Sequence, residues 1–373
     1  MTRVGGPSSP VPLTRKLLAD ADRMGNADGV ATPQEVKALA ETMATQAPAS
    51  WDVNHKERAA AAKTLAAEMT VPAGTLDPAL QKLPAPLRRL ALELDAAWGN
   101  GDGKVSVGEL DRVARYYMAA LPFFTKEAGA LLELAQHLKL DAPEKPAANN
   151  VLQLRMALAK VDKKDVEQAK PFRALFDEAL KQSDALGAPE LMRDAAKHSP
   201  KWHSLSILEH TAVAVDAVRG LCNAVGVDWK DAGAAMLLHD VGKILQRQVK
   251  DQDGKISYNF WDHEAAGAEW LKQKGVSPEV EFQVRHHMEL RSQTEDGMWA
   301  LAGGDKDRLA RMMTVYLADQ VSKGDKPDQL ASLANETPKI MNLCARAGID
   351  GAKLFATADA LRAQHFPTPA AAG

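Results

Sequence analysis

Cysteine is scarce in this chain: Cys222 and Cys344 are the only two among 373 residues. Two cysteines cannot build a disulfide framework, and such scarcity fits a reducing compartment, the cytoplasm. Aromatic residues make up 5%, few for a domain built on β-strands. No apolar run approaches the ~18 residues of a membrane span. The opening MTRVGGPSSPVPLTR lacks the apolar stretch of a signal peptide. A dominant charge sign is also missing, with 46 Lys and Arg against 49 Asp and Glu for a net charge of -3. That balance argues against an extended nucleic-acid surface and against membrane attachment. No segment shows convincing period-2 alternation.

What the chain does have is Ala- and Leu-rich sequence with apolar residues at i, i+3 and i+4, which predicts an all-α fold. The length suits about two domains. Residues 1–10, rich in Gly, Pro and Ser, read as disordered. A helical module is expected over 11–140, and a linker with connecting helices over 141–197. A second helical domain is expected over 198–335, and short C-terminal helices with a tail over 336–373. Seven of the ten histidines fall between His198 and His287.

Two loops in the first module are alike, GNADGVATPQEV from Gly25 and GNGDGKVSVGEL from Gly99. Both resemble EF-hand calcium loops, in which alternating oxygen ligands, a turn glycine and a closing glutamate surround the ion. The resemblance implies Asn26, Asp28, Thr32 and Glu35 as ligands in the first loop. In the second it implies Asn100, Asp102, Ser106 and Glu109. The usual first aspartate is replaced by Met24 and Trp98, with Asp22 and Asp95 just upstream. The alternative is a metal-free helix–loop–helix module that keeps only the turn.

The second domain carries an ordered series of histidines and aspartates. His210 stands in LEHTAVAVD, His239 and Asp240 in LLHDVGK, and His263 in DHEAAGA. His286 and His287 stand in VRHHMEL, and Asp319 in YLADQVSK. Met312, Met313, Tyr316 and Gln320 share a helical face with Asp319, and a carboxylate on an apolar face needs a partner or a metal. His263, Ala266, Gly267 and Trp270 share another face, whose small residues admit a close neighbour. Gly242 reads as the C-terminal stop of the AGAAMLL helix. Periodicity leaves the two adjacent histidines open: Phe282–His286–Leu290 makes one face and Val280–Val284–His287 another. His286 is taken ahead of His287.

The series resembles the HD superfamily of metal-dependent phosphohydrolases over about residues 200–335. It is similar to the HD domains of bacterial tRNA nucleotidyltransferases, although no nucleotidyltransferase head precedes it. The resemblance implies one metal on His210, His239, Asp240 and Asp319. Asp240 would bridge to a second ion held by His263 and His286 or His287. Imidazole and carboxylate suit Mn, Fe, Co, Ni or Zn. Asp240 and Lys243 are the expected catalytic groups, and the implied substrate is a nucleotide or similar small phosphoester. His203, Lys243, Arg285 and Arg291, with Lys323 behind them, are the candidate substrate contacts. Two other readings compete: a calcium-responsive regulatory protein with a non-catalytic HD domain, and a diiron oxygenase of the same superfamily.

Overall fold

The computed structural model of the chain describes residues 33–45, 77–98, 103–140, 150–185, 198–199, 201–246, 248–252 and 255–366, with a few helical positions before 64. Residues 1–10, the stretch 141–149 and the end of the chain after 366 lie outside the described residues. So do Asn26, Asp28, Thr32, Asn100 and Asp102. The chain divides into two compact units, one of residues 1–118, 124–161 and 181–193, the other of residues 119–123, 162–180 and 194–373. Among the described residues the fold is all-α apart from one short hairpin. None of the described helices is long and apolar enough to cross a membrane.

The first unit contains α1 (Pro33–Thr45), α2 (Pro78–Gln81), α3 (Ala85–Trp98), α4 (Val107–Ala119), α5 (Thr125–His137) and α6 (Asn150–Ala159). Helical spacing sets its core. Leu87, Ala91 and Leu94 of α3 are buried, as are Leu131, Leu134 and Ala135 of α5, and α5 packs on α3 and α6. Ahead of α4, Ser106 and Glu109 bond to one another. The Ser106 amide donates to Glu109 Oε2 at 2.7 Å, and the Glu109 amide donates to Ser106 Oγ at 3.2 Å. This is a capping box, which satisfies two amides that the first helical turn leaves open. Gly103 takes the left-handed φ of 79° that a sharp turn needs, and its amide donates to Asp95 at 2.8 Å. Glu35 lies in the first turn of α1.

α7 (Lys163–Ala185) lies mostly in the second unit. There follow α8 (Ile207–Val225), α9 (Lys230–Leu238), α10 (Val241–Leu245), β1 (Gln248–Gln252), β2 (Lys255–Asn259), α11 (His263–Gln273) and α12 (Pro278–His286). A 3₁₀ turn at Glu289–Arg291 leads to α13 (Glu295–Leu301), α14 (Lys306–Ser322), α15 (Pro327–Ala347) and α16 (Gly351–His365). α8 and α14 form the centre and pack on each other. They are buried over most of their surface, from Ile207 to Cys222 and from Leu309 to Ser322. Ser206 and Glu209 make a capping box that starts α8, and Gly226 ends it with φ 74°. α16 is fastened to α8 where His365 Nε2 meets Asp216 at 3.0 Å.

One short hairpin joins the all-α fold, and two expectations need correction. β1 and β2 pair antiparallel, with Gln248 opposite Asn259 and Gln252 opposite Lys255. The residues between them in sequence are Asp253 and Gly254, the dipeptide most favourable to a two-residue hairpin turn; that signal was overlooked. The C-terminal helices are not short, because α15 runs for 21 residues through Pro338. Gly242 does not end a helix but lies inside α10. A β-carbon there would stand 1.8 Å from the His263 carbonyl oxygen and 2.9 Å from the Gly267 amide nitrogen. Glycine is required by this backbone-to-backbone approach of α10 and α11, not by a positive φ.

Candidate metal centre

Six helix ends deliver the histidine–aspartate series to a single place. His210 comes from the first turn of α8, and Asp319 from the last turns of α14. His239 caps the C-terminus of α9, and Asp240 opens α10 one residue later. His263 is the first residue of α11, after Asp262 turns the chain with a left-handed φ of 58°. His287 directly follows α12. All six side chains are buried.

The distances are those of a shared coordination shell. His210 Nε2 lies 2.9 Å from His239 Nε2, 3.3 Å from Asp319 Oδ1 and 3.5 Å from Asp240 Oδ2. His239 Nε2 lies 3.4 Å from Asp240 Oδ2 and 3.8 Å from Asp319 Oδ1. Ligand atoms about 2.1 Å from one ion stand roughly 3.0–3.4 Å from each other, so this donor set fits a transition metal. The other oxygen of Asp240, Oδ1, faces His263 Nε2 at 3.3 Å. Three groups have the spacing to hold an ion: His210, His239 and Asp319; His239, Asp240 and His287; and His263, Glu264 and His287.

Backbone bonds set the orientation of the rings. Nδ1 of His239 meets the Met236 carbonyl at 2.8 Å, that of His263 the Phe260 carbonyl at 2.9 Å, and that of His287 the Val284 carbonyl at 2.7 Å. A carbonyl only accepts, so Nδ1 carries the proton and Nε2 presents its lone pair to the cluster. This is the usual way a protein fixes the tautomer of a metal-ligating imidazole. Two of the atoms left buried without a hydrogen-bond partner are Asp240 Oδ1 and His263 Nε2, the facing pair in the second half of the site.

Burial drives the His239 imidazole down to about 4, and His198 and His287 to about 3. These rings are therefore neutral at ordinary pH, the form that binds metal. Burial alone would raise Asp240, but His239 and Lys243 outweigh it and hold the carboxylate well below its usual range. Burial is likewise overcome at Asp319 by Lys323 and His210. The site thus presents ionised carboxylates beside neutral imidazoles.

Two lysines and two further histidines border these donors. Lys243 Nζ donates to Asp240 Oδ2 at 2.8 Å and to His198 Nε2 at 3.0 Å. Lys323 Nζ lies 2.5 Å from Asp319 Oδ2, and burial lowers its pKa against the opposing pull of that carboxylate. His203 stacks on His198 with ring centroids 3.8 Å apart. Sequence reasoning missed His198, which lies in a loop where periodicity says nothing, and Glu264, although it directly follows His263. It also ranked the adjacent pair the wrong way for this cluster. His287 joins it at 3% exposure, while His286 packs on Phe282 and faces Glu289 at 3.6 Å. The fully buried Val280 and Val284 mark the inner face of α12, and His287 continues that face. Arg285 is engaged by Glu281 at 2.6 Å on its own helix. Arg291 pairs with Glu336 and lies over the Trp202 ring at 5.5 Å.

No curated protein and no solved structure matches the chain. Residues 207–324 match the family model of the HD domain, a span that contains all six clustered donors.

Proposed function

We propose that the second unit is a metal-dependent phosphohydrolase acting on a nucleotide or similar small phosphoester. The observation that carries the reading is the convergence of His210, His239, Asp240 and Asp319 at 2.9–3.8 Å, with the second oxygen of Asp240 turned to His263. The first four would hold one ion. Asp240, His263 and His287 would hold a second, with Glu264 beside them. Bound divalent metal supplies an acidified water and a counter-charge for the phosphoryl oxygens.

The chain's own groups supply the rest. The Nδ1–H bonds to Met236, Phe260 and Val284 keep each imidazole aimed, so the donor set needs little reorganisation. Lys243, steadied by Asp240 and His198, has one remaining N–H to donate to a phosphoryl oxygen. The buried shell limits bulk water, which strengthens each of these charge interactions.

Elemental analysis of the purified protein tests the reading, together with hydrolysis assays on p-nitrophenyl phosphate, bis-p-nitrophenyl phosphate and 2′,3′-cyclic nucleotides. Bound transition metal and metal-dependent release of product are expected. Protein that holds no such metal, and hydrolyses none of these esters with added Mn, Fe, Co or Ni, refutes it. Oxygen consumption with iron and without phosphate release would favour the oxygenase chemistry instead.

A further inference from the structure

We propose that Lys243, Lys323 and His203 form an anion subsite beside the metal donors, built for the doubly charged phosphoryl group of a phosphomonoester rather than the single charge of a phosphodiester. This rests on the hydrolase reading above and narrows its substrate class.

Charge balance is the first argument. Within the buried shell the two carboxylates, Asp240 and Asp319, are each matched by an ammonium group, Lys243 at 2.8 Å and Lys323 at 2.5 Å. Around the first ion's donors these charges cancel before metal binds, and that divalent ion leaves them with two positive charges. A phosphomonoester carries about two negative charges near neutral pH, whereas a diester carries one. Without the lysines the first ion and its two carboxylates would carry no net charge. Lysine is almost never fully buried without a reason, and here two are, at 6% and 5% exposure.

Free bonding capacity is the second argument. Lys243 uses two of its three donors on Asp240 and His198. Lys323 uses one on Asp319 and makes a weak contact with Met288 Sδ at 3.7 Å. Both ring nitrogens of His203 are buried and lack any hydrogen-bond partner, and a buried polar group in that state calls for a polar occupant. Its ring lies against His198 at 3.8 Å and edge-on to His210 at 5.1 Å.

The backbone brings these groups together. The Ser204 amide donates to the Lys323 carbonyl at 2.8 Å, and its hydroxyl donates to Asp325 at 2.9 Å. A β-carbon on Gly324 would stand 2.5 Å from Ser204 Oγ, so glycine lets the two segments close. His203 and Lys323 are thereby fixed on neighbouring strands of chain.

The test uses the full-length protein loaded with Mn and titrated calorimetrically with inorganic phosphate, alongside kcat/KM for p-nitrophenyl phosphate and bis-p-nitrophenyl phosphate. Lys323→Met should weaken phosphate binding roughly tenfold or more while metal content is retained, as expected for loss of a charge-assisted bond. The monoester kcat/KM should fall in step and the diester far less, and Lys323→Arg should recover part of both losses. If Lys323→Met fails to hold metal, His203→Gln carries the same test, because its ring touches neither carboxylate. Unchanged phosphate affinity, or equal losses on monoester and diester, overturns the subsite and leaves the hydrolase reading standing. Wild-type protein that cleaves neither ester counts against the hydrolase reading, and the phosphate titration then decides the subsite alone.

Discussion

Gly242 and His263 meet backbone to backbone, with no room between them for even one methyl group. The contact places His263 Nε2 opposite Asp240 Oδ1, because His263 is the first residue of the helix that Gly242 supports. The obstructing atom is a carbonyl oxygen, which cannot swing aside as a side chain would. Gly242→Ala should cost about 1–3 kcal/mol or more and displace His263. Denaturant unfolding should register the loss, and elemental analysis should show less than the wild-type metal content.

Asp240 touches both halves of the cluster and also neutralises Lys243. Asp240→Ala is therefore expected to lose metal and activity together. It strands a buried ammonium, a change that typically costs roughly 3–5 kcal/mol. Metal stoichiometry and the melting temperature, measured on the same sample, check this. Retention of full metal by a folded variant would contradict the bridging role.

The neighbouring histidines separate cleanly. His287→Ala should lower metal content and activity, and His263→Ala should first remove the ion of the second group. His286→Ala should leave both nearly unchanged, since its ring faces Phe282 and Glu289. Metal analysis of the three variants decides among them.

Acid should destabilise the metal-free protein. His198, His239 and His287 are held at about 3 to 4 in the fold, against 6.5 when exposed. The unfolded chain therefore binds more protons in this interval, and stability rises with pH. The contribution is fully present above pH 6.5 and is lost as pH falls towards about 3. Asp240 and Asp319, also held low, act in the same direction at still lower pH. His203 is also held well below 6.5 by burial, so near pH 5 unfolding should take up about four protons, as the pH dependence of the denaturant midpoint would show.

Much of this was legible in the sequence. The all-α class followed from periodicity, since α8 and α14 carry their apolar residues at helical spacing. The order of the histidines and aspartates, through its resemblance to the HD superfamily, pointed to residues that the structure brings together. His287 was harder. Adjacent residues differ by about 100° around a helix, and only the packing of Val280 and Val284 shows which way α12 faces. His198 had no signal, because its place is set by a loop bond to the Leu205 carbonyl and by a lysine far along the chain. The hairpin had a signal in Asp253 and Gly254, but its strands are short and polar.

The segment 198–206 also bears on where this chain could be trimmed. Every clustered donor lies within 207–324, whereas the ring that steadies Lys243 and the ring stacked upon it precede that span. A fragment beginning at residue 207 would keep the whole metal-binding inventory and lose one wall of the chamber. On the proposed reading, the shortest piece that binds metal and the shortest that selects its substrate have different N-terminal limits. On that reading, His203 is a position outside residues 207–324 from which selectivity can be changed without altering a proposed metal donor.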